Sequence, residues 1–140
     1  MKTILQYKQE LETALKANAQ GYPVLIADGY NVSNNLTAKT IATYLATKGI
    51  CISICPAVQL QDFKKAGNRS VAKLTIDILI ETNPQVLTDF SLCDFANQLI
   101  KLLHNIPAQA DNYDWTVQSY VEVEEAPYNG MITVTREVVI

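Results

Sequence analysis

The most constraining feature of the sequence is an alternation of side-chain types over residues 70–82. Every second position of this segment is apolar: Ala72, Leu74, Ile76, Ile78 and Ile80. The positions between them are mostly polar or charged: Val71, Lys73, Thr75, Asp77, Leu79 and Glu81. Successive side chains of a β-strand point to opposite faces, so a period of two predicts a strand that is buried on one face.

Hydrophobic periodicity and turn-forming residues predict the remaining elements. Helices are expected over residues 3–17, about 37–48 and 91–104. Strands are expected over residues 22–28, 50–55, 70–82, 115–125 and 131–140. The resulting order, α-β-α-β-β-α-β-β, is typical of the α+β class. We therefore expect a mainly antiparallel β-sheet of about five strands packed against two or three helices.

Two connections carry specific predictions. Asn129 and Gly130 stand between the last two alternating segments, where an Asn-Gly pair favours a tight β-hairpin. Pro56 is expected to end the strand over residues 50–55, because proline has no backbone N–H to donate to a neighbouring strand. The residues that follow, 57–69, are predicted to form a long mobile loop.

The length and composition favour one folded domain spanning residues 1–140. The chain has 140 residues, close to a prior of about 150 per domain, and 49% of them are hydrophobic. With 11 Lys and Arg against 14 Asp and Glu, the formal net charge is −3. A net negative charge argues against a dedicated nucleic-acid binder and against a protein that clamps an anionic membrane, since both need a basic excess.

Targeting segments and cysteine usage predict an intracellular protein. The apolar stretch at the N-terminus is shorter than the roughly 7–15 residues of a signal-peptide core, and no apolar run approaches the ~20 residues of a membrane span. The three cysteines, Cys51, Cys55 and Cys93, are an odd number, and we expect them to be buried, reduced thiols. The chain is therefore expected to stay inside a cell or to leave it only as part of an assembly.

The sequence marks no catalytic centre, cofactor site or metal site. The single histidine, His104, lies at the predicted C-terminal end of the third helix, where a cation complements the helix dipole. As a general base it would need a nucleophile and an orienting acid, and no such partners stand out. Residues 28–31 resemble the start of a calcium loop, but Val32 occupies a ligand position and no glutamate closes the loop. The isolated glycines match no phosphate-binding loop, so we expect no cofactor and no small-molecule substrate.

Two charged clusters each have a solvation and a binding interpretation. Lys64, Lys65 and Arg69 are the only basic cluster, with Phe63 as the only aromatic residue beside them. They form either a solvated loop or a contact with a protein or nucleic-acid partner. The densest acidic residues are Glu122, Glu124 and Glu125. They form either a solvated sheet face or a negative wall within an assembly.

The order of elements and several local patterns resemble a known family. The matching segments are an amphipathic helix (residues 5–17) and a short strand (Tyr22-Pro23-Val24-Leu25), followed by two long strands joined by a flexible loop (residues 50–55 with 59–70 and 71–82). A helix (residues 93–103) and a closing hairpin strand (Gly130-Met131-Ile132-Thr133-Val134-Thr135) complete the pattern. In this pattern the chain resembles the small tail-terminator (tail-completion, head–tail joining) proteins of long-tailed bacteriophages, including prophage copies. It departs from them in residues 36–48, a predicted helix inserted between the first two strands.

The resemblance implies a non-enzymatic structural protein of a phage or prophage. Such a protein would form a homo-oligomeric ring, usually a hexamer, that caps the tail tube, stops its polymerisation and joins it to the head. Its partners would be tail-tube and head-connector proteins. DNA would pass through the ring without specific binding, and no membrane would be involved. The protein would be made in the bacterial cytoplasm and end in the virion at the head–tail junction.

Contacts in such a ring are expected at two exposed elements, the loop over residues 59–70 and the tip of the last hairpin. The residues predicted to make subunit or partner contacts are Phe63, Lys64, Lys65, Arg69, Tyr128 and Asn129. Two other classes of function stay open. One is a small intracellular module that captures a peptide or protein at an exposed sheet edge, and the other is an enzyme acting through His104 and a carboxylate.

Overall fold

The described part of the chain forms helices and strands in the order α-β-α-β-β-α-β-β. The computed structural model describes residues 2–27, 36–107, 113–123 and 128–140. The helices are α1 (Ile4–Asn18), α2 (Leu36–Thr47) and α3 (Leu92–His104). The strands are β1 (Val24–Ile26), β2 (Ile50–Ala66), β3 (Arg69–Thr82), β4 (Thr116–Val123) and β5 (Asn129–Val139). The predicted α+β class and the predicted order of elements are confirmed.

These strands form a sheet in the order β1-β2-β3-β5-β4. β1 pairs with β2 in parallel, and the other neighbouring strands pair antiparallel. A parallel pair requires a crossover connection, and α2 lies in that connection and packs against β2. The sheet is therefore mainly antiparallel, as predicted, with β3 at its centre and β1 and β4 at its edges.

The core lies on the sheet face that the alternation in β3 predicts. Leu74, Ile76, Ile78 and Ile80 are fully buried, whereas the residues between them are only partly buried. The apolar side chains of α1 and α3 that cover this face include Leu11, Leu15, Phe95, Leu99 and Leu103. No described side chain of α2 belongs to this core cluster. Each large aliphatic side chain that is fully buried here stabilises the fold by about 1.5–3 kcal/mol.

Two helices begin at side-chain caps that the sequence contains. Thr3 Oγ1 accepts a hydrogen bond of 3.2 Å from Gln6 N, and Gln6 Oε1 accepts one of 2.7 Å from Thr3 N. At the start of α3, Ser91 Oγ accepts a hydrogen bond of 3.2 Å from Asp94 N. Each cap satisfies N–H groups that the first helical turn leaves without an intrahelical partner.

The prediction that Pro56 ends the second strand and that residues 57–69 form a long mobile loop is wrong. β2 continues to Ala66 and pairs with β3 over most of its length. The register of this pairing shifts between Ile54 and Val58, so Pro56 stands in an irregularity of the ladder. Its missing N–H therefore interrupts no regular pair, which is how a sheet accommodates a proline inside a strand.

Two further features, one at Pro56 and one at the far end of the strand, support the longer β2. From α1, Lys8 Nζ donates a hydrogen bond of 2.9 Å to Pro56 O, and desolvation lowers the pKa of this lysine. At the far end, Gly67 and Asn68 form a tight turn in which Gly67 has a φ of +65°. Residues 59–70 are therefore two strands and their turn, with a second irregularity of the pairing between Gln61 and Lys64.

The predicted hairpin between the last two strands is confirmed, but Asn129 and Gly130 are not its turn. β4 and β5 pair antiparallel, and both residues already belong to β5. A Cβ at Gly130 would lie 2.7 Å from Tyr120 Oη, so any other residue here would force the packed Tyr120 side chain to shift. Residues 124–127, which connect the two strands, lie outside the described residues.

A buried arginine connects α1 to the sheet. Arg136 of β5 has a fully buried side chain and is the cross-strand partner of Leu74 in the core. Its guanidinium lies 4.7 Å from the centre of the Tyr7 ring and 5.7 Å from that of the Trp115 ring. Glu10 Oε1 lies 3.8 Å from Arg136 Nη1 and accepts a hydrogen bond of 3.0 Å from Trp115 Nε1. The carboxylate and the two ring faces together compensate a charge that is out of water.

Two glycines allow a test of how closely the loop before α3 packs on the end of α2. Gly49 has a φ of +77°, and an added Cβ would lie 2.6 Å from Leu87 Cβ and 2.8 Å from Leu87 N. Gly21 has a φ of +80°, but no atom lies within 4 Å of an added Cβ. We expect Gly49→Ala to lower the free energy of unfolding by about 2–5 kcal/mol, against about 1–2 kcal/mol for Gly21→Ala, because only the first change adds a clash to the backbone strain. Urea unfolding of both variants measures the difference, and equal losses would contradict the contact with Leu87.

The buried arginine predicts unequal roles for two glutamates of α1. Glu10 faces Arg136, whereas Glu12 forms a 3.6 Å ion pair with Lys16 on the helix surface. We expect Glu10→Gln to lower the free energy of unfolding by about 2–4 kcal/mol, because a buried charge loses its carboxylate. Glu12→Gln, the matched control, is expected to change it by less than about 0.5 kcal/mol. Urea unfolding measures both values, and a similar effect of the two changes would be evidence against the role of Glu10.

Candidate functional site

An exposed β-hairpin carries most of the predicted contact residues. We call residues 62–70 the hairpin arm, and all of them are exposed to solvent. It carries four of the six predicted contact residues: Phe63, Lys64, Lys65 and Arg69. Phe63 is 63% exposed, and Lys64 Nζ forms a 2.8 Å ion pair with Glu137 of β5. The other two cations of the arm form no ion pair with any described residue. The arm also carries one carboxylate, Asp62, so it presents an aromatic ring together with a net positive charge.

The other two predicted contact residues lie at the opposite end of the sheet. Tyr128 is 44% exposed, and its backbone oxygen accepts hydrogen bonds from Thr82 N at 3.1 Å and from Thr82 Oγ1 at 2.5 Å. Asn129 is half-buried, between its cross-strand partners Glu81 and Val123. Arg69 of the arm and Thr82 are the two ends of the 14-residue strand β3, about 43 Å apart at ~3.3 Å per residue. The structure therefore does not bring the six residues into one site.

A cavity of about 560 Å³ opens at this second end of the sheet. We call it the end cavity, and its walls come from the end of β3, the loop before α3, the start of α3, the end of β4 and the residue that precedes β5. The lining includes Thr82, Leu87, Asp89, Phe90, Glu122 and Tyr128. Asp89 and Glu122 are carboxylates, and no lysine or arginine of the described residues lines the cavity. The end cavity thus combines an apolar wall with negative charge.

The acidic residues of the end cavity are partly held in place. Tyr120 Oη donates a hydrogen bond of 2.8 Å to Glu122 Oε2. Burial and the adjacent carboxylate raise the pKa of Tyr120, so its hydroxyl remains a donor at neutral pH. Asp89 has a φ of +55°, a left-handed conformation that Asp tolerates better than most residues. Of the acidic cluster in the sequence, Glu122 lines this cavity, and Glu124 and Glu125 lie outside the described residues.

β4 forms an exposed edge of the sheet. Among the described strands it pairs only with β5, and its residues Val121 and Val123 are 58% and 47% exposed. Val121 is the cross-strand partner of Met131, which is in turn the partner of Leu79. These residues form an apolar row that leads to the open edge on the face away from the core. An edge of this kind can add a strand from another chain.

His104, the single histidine, ends α3 and is exposed to solvent. Within the described residues, no three His, Cys, Asp or Glu side chains are grouped so that they could hold a metal ion. Residues 28–31, the segment that resembles a calcium loop, lie outside those residues. None of the described helices is both long enough and apolar enough to cross a membrane.

All three cysteines are free thiols, as predicted, but the prediction that they are buried is wrong for Cys93, which is exposed. Cys51 is buried, and burial raises its pKa to about 11. Cys55 is half-buried, and burial raises its pKa as well. Cys93 is exposed in the first turn of α3, next to Leu92 in the wall of the end cavity. Cys93 is therefore the thiol most accessible to reagents.

Sequence reasoning missed the end cavity. Much of its lining comes from residues 83–91, which connect β3 to α3 and match no motif. The available indication was the presence of Leu87 and Phe90 in a segment otherwise rich in polar and turn-forming residues. The cavity forms only where this segment meets Glu122 and Tyr128, which are distant in the sequence.

No protein-family model and no curated protein matches the chain. Among solved structures, the fold is similar to that of a sheath/tube terminator of an extracellular contractile injection system (PVC), determined by cryo-EM in the extended state. The two chains are 12% identical and align with a TM-score of 0.56 over 100% of this chain and 57% of that one. A crystal structure from Akkermansia muciniphila aligns over 96% of this chain and 74% of that one at 12% identity, but its TM-score of 0.35 is too low to indicate a common fold. The chain thus has a tail-terminator-like fold and spans little more than half the length of the terminator it matches.

The surroundings of the cysteines predict a stepwise reaction with the thiol reagent DTNB. Cys93 is expected to react at the rate of an exposed cysteine, whereas Cys51 should react only as fast as the protein opens. Raising the pH from about 7 to about 9 should leave Cys51 slow, since a pKa of about 11 keeps it protonated. Cys93→Ser, the control, should remove the fast phase. Three equally fast thiols would contradict the burial of Cys51.

Proposed function

We propose that this protein is a non-enzymatic structural subunit of a phage or prophage tail, which caps the end of the tail tube. The observation that carries the proposal is the fold similarity to a sheath/tube terminator, which covers 100% of this chain. The sequence pattern supports it independently, because it resembles tail terminators of long-tailed bacteriophages. Since one fold can serve many functions, the surfaces of the subunit must also suit the role.

In this proposal, residues 1–140 act as one domain, and six copies form a ring. A chain of this length has a radius of gyration of about 14 Å, which corresponds to a uniform sphere about 37 Å across. Six such spheres in contact leave a central opening of about the same width. That opening is wide enough for duplex DNA. Tail-tube protein would bind one face of the ring, and a head-connector protein the other.

The charge of the chain suits a ring through which DNA passes without specific binding. Proteins that bind DNA tightly use Lys and Arg to release counterions from its phosphates. The net charge of this chain is −3, and one of the cations on the hairpin arm, Lys64, is already paired with Glu137. In this role the protein is made in the bacterial cytoplasm and ends in the virion at the head–tail junction.

A second function is favoured by the open edge of β4. With Val121 and Val123 exposed beside an unpaired strand edge, the protein could capture an extended peptide by strand addition. In that case it would be a small binding module inside the cell, active as a monomer.

The state of the purified protein in solution distinguishes these functions. We expect rings in negative-stain electron microscopy and a mass of about 93 kDa by light scattering, for six subunits of 15.5 kDa. The measurement is made at high protein concentration, alone and with a tail-tube protein from the same genome. A protein that stays at the monomer mass in both samples would contradict the ring. A monomer that binds extended peptides at β4 would instead support the binding module.

A further inference from the structure

We infer that the hairpin arm of one subunit inserts into the end cavity of a second copy of this chain, and that this contact builds the ring. The inference rests on the proposed function. It names the two surfaces that would hold neighbouring subunits together.

The hairpin arm has the chemistry of an inserting element. Phe63 is a large apolar ring that is 63% exposed, and water surrounds it unless a partner covers it. Lys65 pairs with Ser70, and Ala66 pairs with Arg69, so the two cations that form no ion pair with a described residue stand near the turn. Because Lys64, Lys65 and Ala66 already pair with β3, insertion of this part of the arm would cost little backbone freedom.

The end cavity has the complementary chemistry. Its carboxylates, Asp89 and Glu122, are opposite in charge to the cations of the arm. Its apolar wall, which includes Leu87 and Phe90, suits the ring of Phe63. The cavity volume of about 560 Å³ lies within the range of about 300–1,000 Å³ that is usual for pockets that enclose a bound group.

The arm and the cavity cannot meet within one subunit. The arm lies at one end of the 14-residue strand β3 and the cavity at the other, about 43 Å away. Two different surfaces that bind each other make a heterologous contact, which repeats from copy to copy and closes into a ring where the rotation permits. Because both surfaces belong to the same chain and are opposite in charge, a second copy satisfies the contact without any other partner.

Cysteine crosslinking tests the contact directly. Asn68→Cys places a thiol at the turn of the arm, and the natural Cys93 lies beside the end cavity. Within one subunit these positions are much farther apart than the ~7 Å that a disulfide can bridge between Cα atoms, so a bond between them joins two subunits. Copper-catalysed air oxidation of the assembled protein should give a ladder in steps of 15.5 kDa on a non-reducing gel.

Two controls make the crosslink specific. Cys93→Ser in the Asn68→Cys chain should abolish the ladder. Thr47→Cys places a thiol at an exposed position on α2 and should not produce a ladder. A reciprocal dimer, in which each arm fills the other subunit's cavity, would stop at the covalent dimer and would overturn the ring-building role of the contact.

Charge reversal tests the complementarity. Lys65→Glu together with Arg69→Glu should weaken self-association at least about tenfold, because two attractions become repulsions. Lys39→Glu together with Lys101→Glu makes the same change in net charge at exposed positions on α2 and α3, and should change self-association by less than about twofold.

Reversal of the cavity charge in the arm variant should restore the contact. Added to the chain that carries Lys65→Glu and Arg69→Glu, the changes Asp89→Asn and Glu122→Lys should strengthen self-association at least about tenfold. Asn is chosen at position 89 because it tolerates the left-handed backbone there. Urea unfolding checks that each variant folds. If the arm variant does not fold, the crosslinking experiment tests the contact instead.

The outcomes separate this inference from the proposed function. A ladder that depends on Cys93, together with loss of rings in the arm variant, supports the contact. Rings that form without the crosslink and survive reversal of the arm charges overturn the contact and leave the tail-capping function intact. A wild-type protein that stays monomeric, alone and with tail-tube protein, overturns both.

Discussion

The burial of one face of β3 sets both the register of the central strands and the need for a layer of helices over them. Ile78 lies between Ile54 of β2 and Ile132 of β5, and all three are fully buried. A slip of one residue would turn the apolar face of β3 toward solvent, so the hydrophobic pattern selects the register of three strands at once. The same face then requires a second layer, which α1 and α3 supply.

A buried ionic contact adds a second constraint to this apolar layer. In the row of Leu74, β5 carries Arg136, and Glu10, Tyr7 and Trp115 surround its guanidinium. The contact joins α1, near the start of the chain, to β5, near its end. Buried ion pairs of this kind are weak evidence for stability, but removal of one partner is costly. Arg136 therefore restricts how α1 can lie on the sheet more than it strengthens the core.

The two unlike ends of the sheet follow from the length of β2. Because the register shift absorbs Pro56, β2 and β3 extend together to the turn at Gly67 and form the hairpin arm. If β2 had ended at the proline, the cations and Phe63 would have lain in a loop without a defined position. The paired arm instead presents an aromatic and basic surface at one end, opposite the acidic end cavity. This polarity along β3 is the property that a repeating head-to-tail contact would use.

The class and the order of the elements could be predicted from the sequence, because the periods of 2 and about 3.6 residues that mark strands and helices are local properties. The sequence also placed Phe63, Lys64, Lys65 and Arg69 in one exposed segment. That Pro56 lies inside a strand could not be predicted, since a proline without an N–H is tolerated or not according to its partner strand. The end cavity was likewise decided by tertiary structure. Asp89 and Glu122 meet there because β5 lies between β3 and β4 in the sheet, and strand order depends on long-range contacts that no local pattern records.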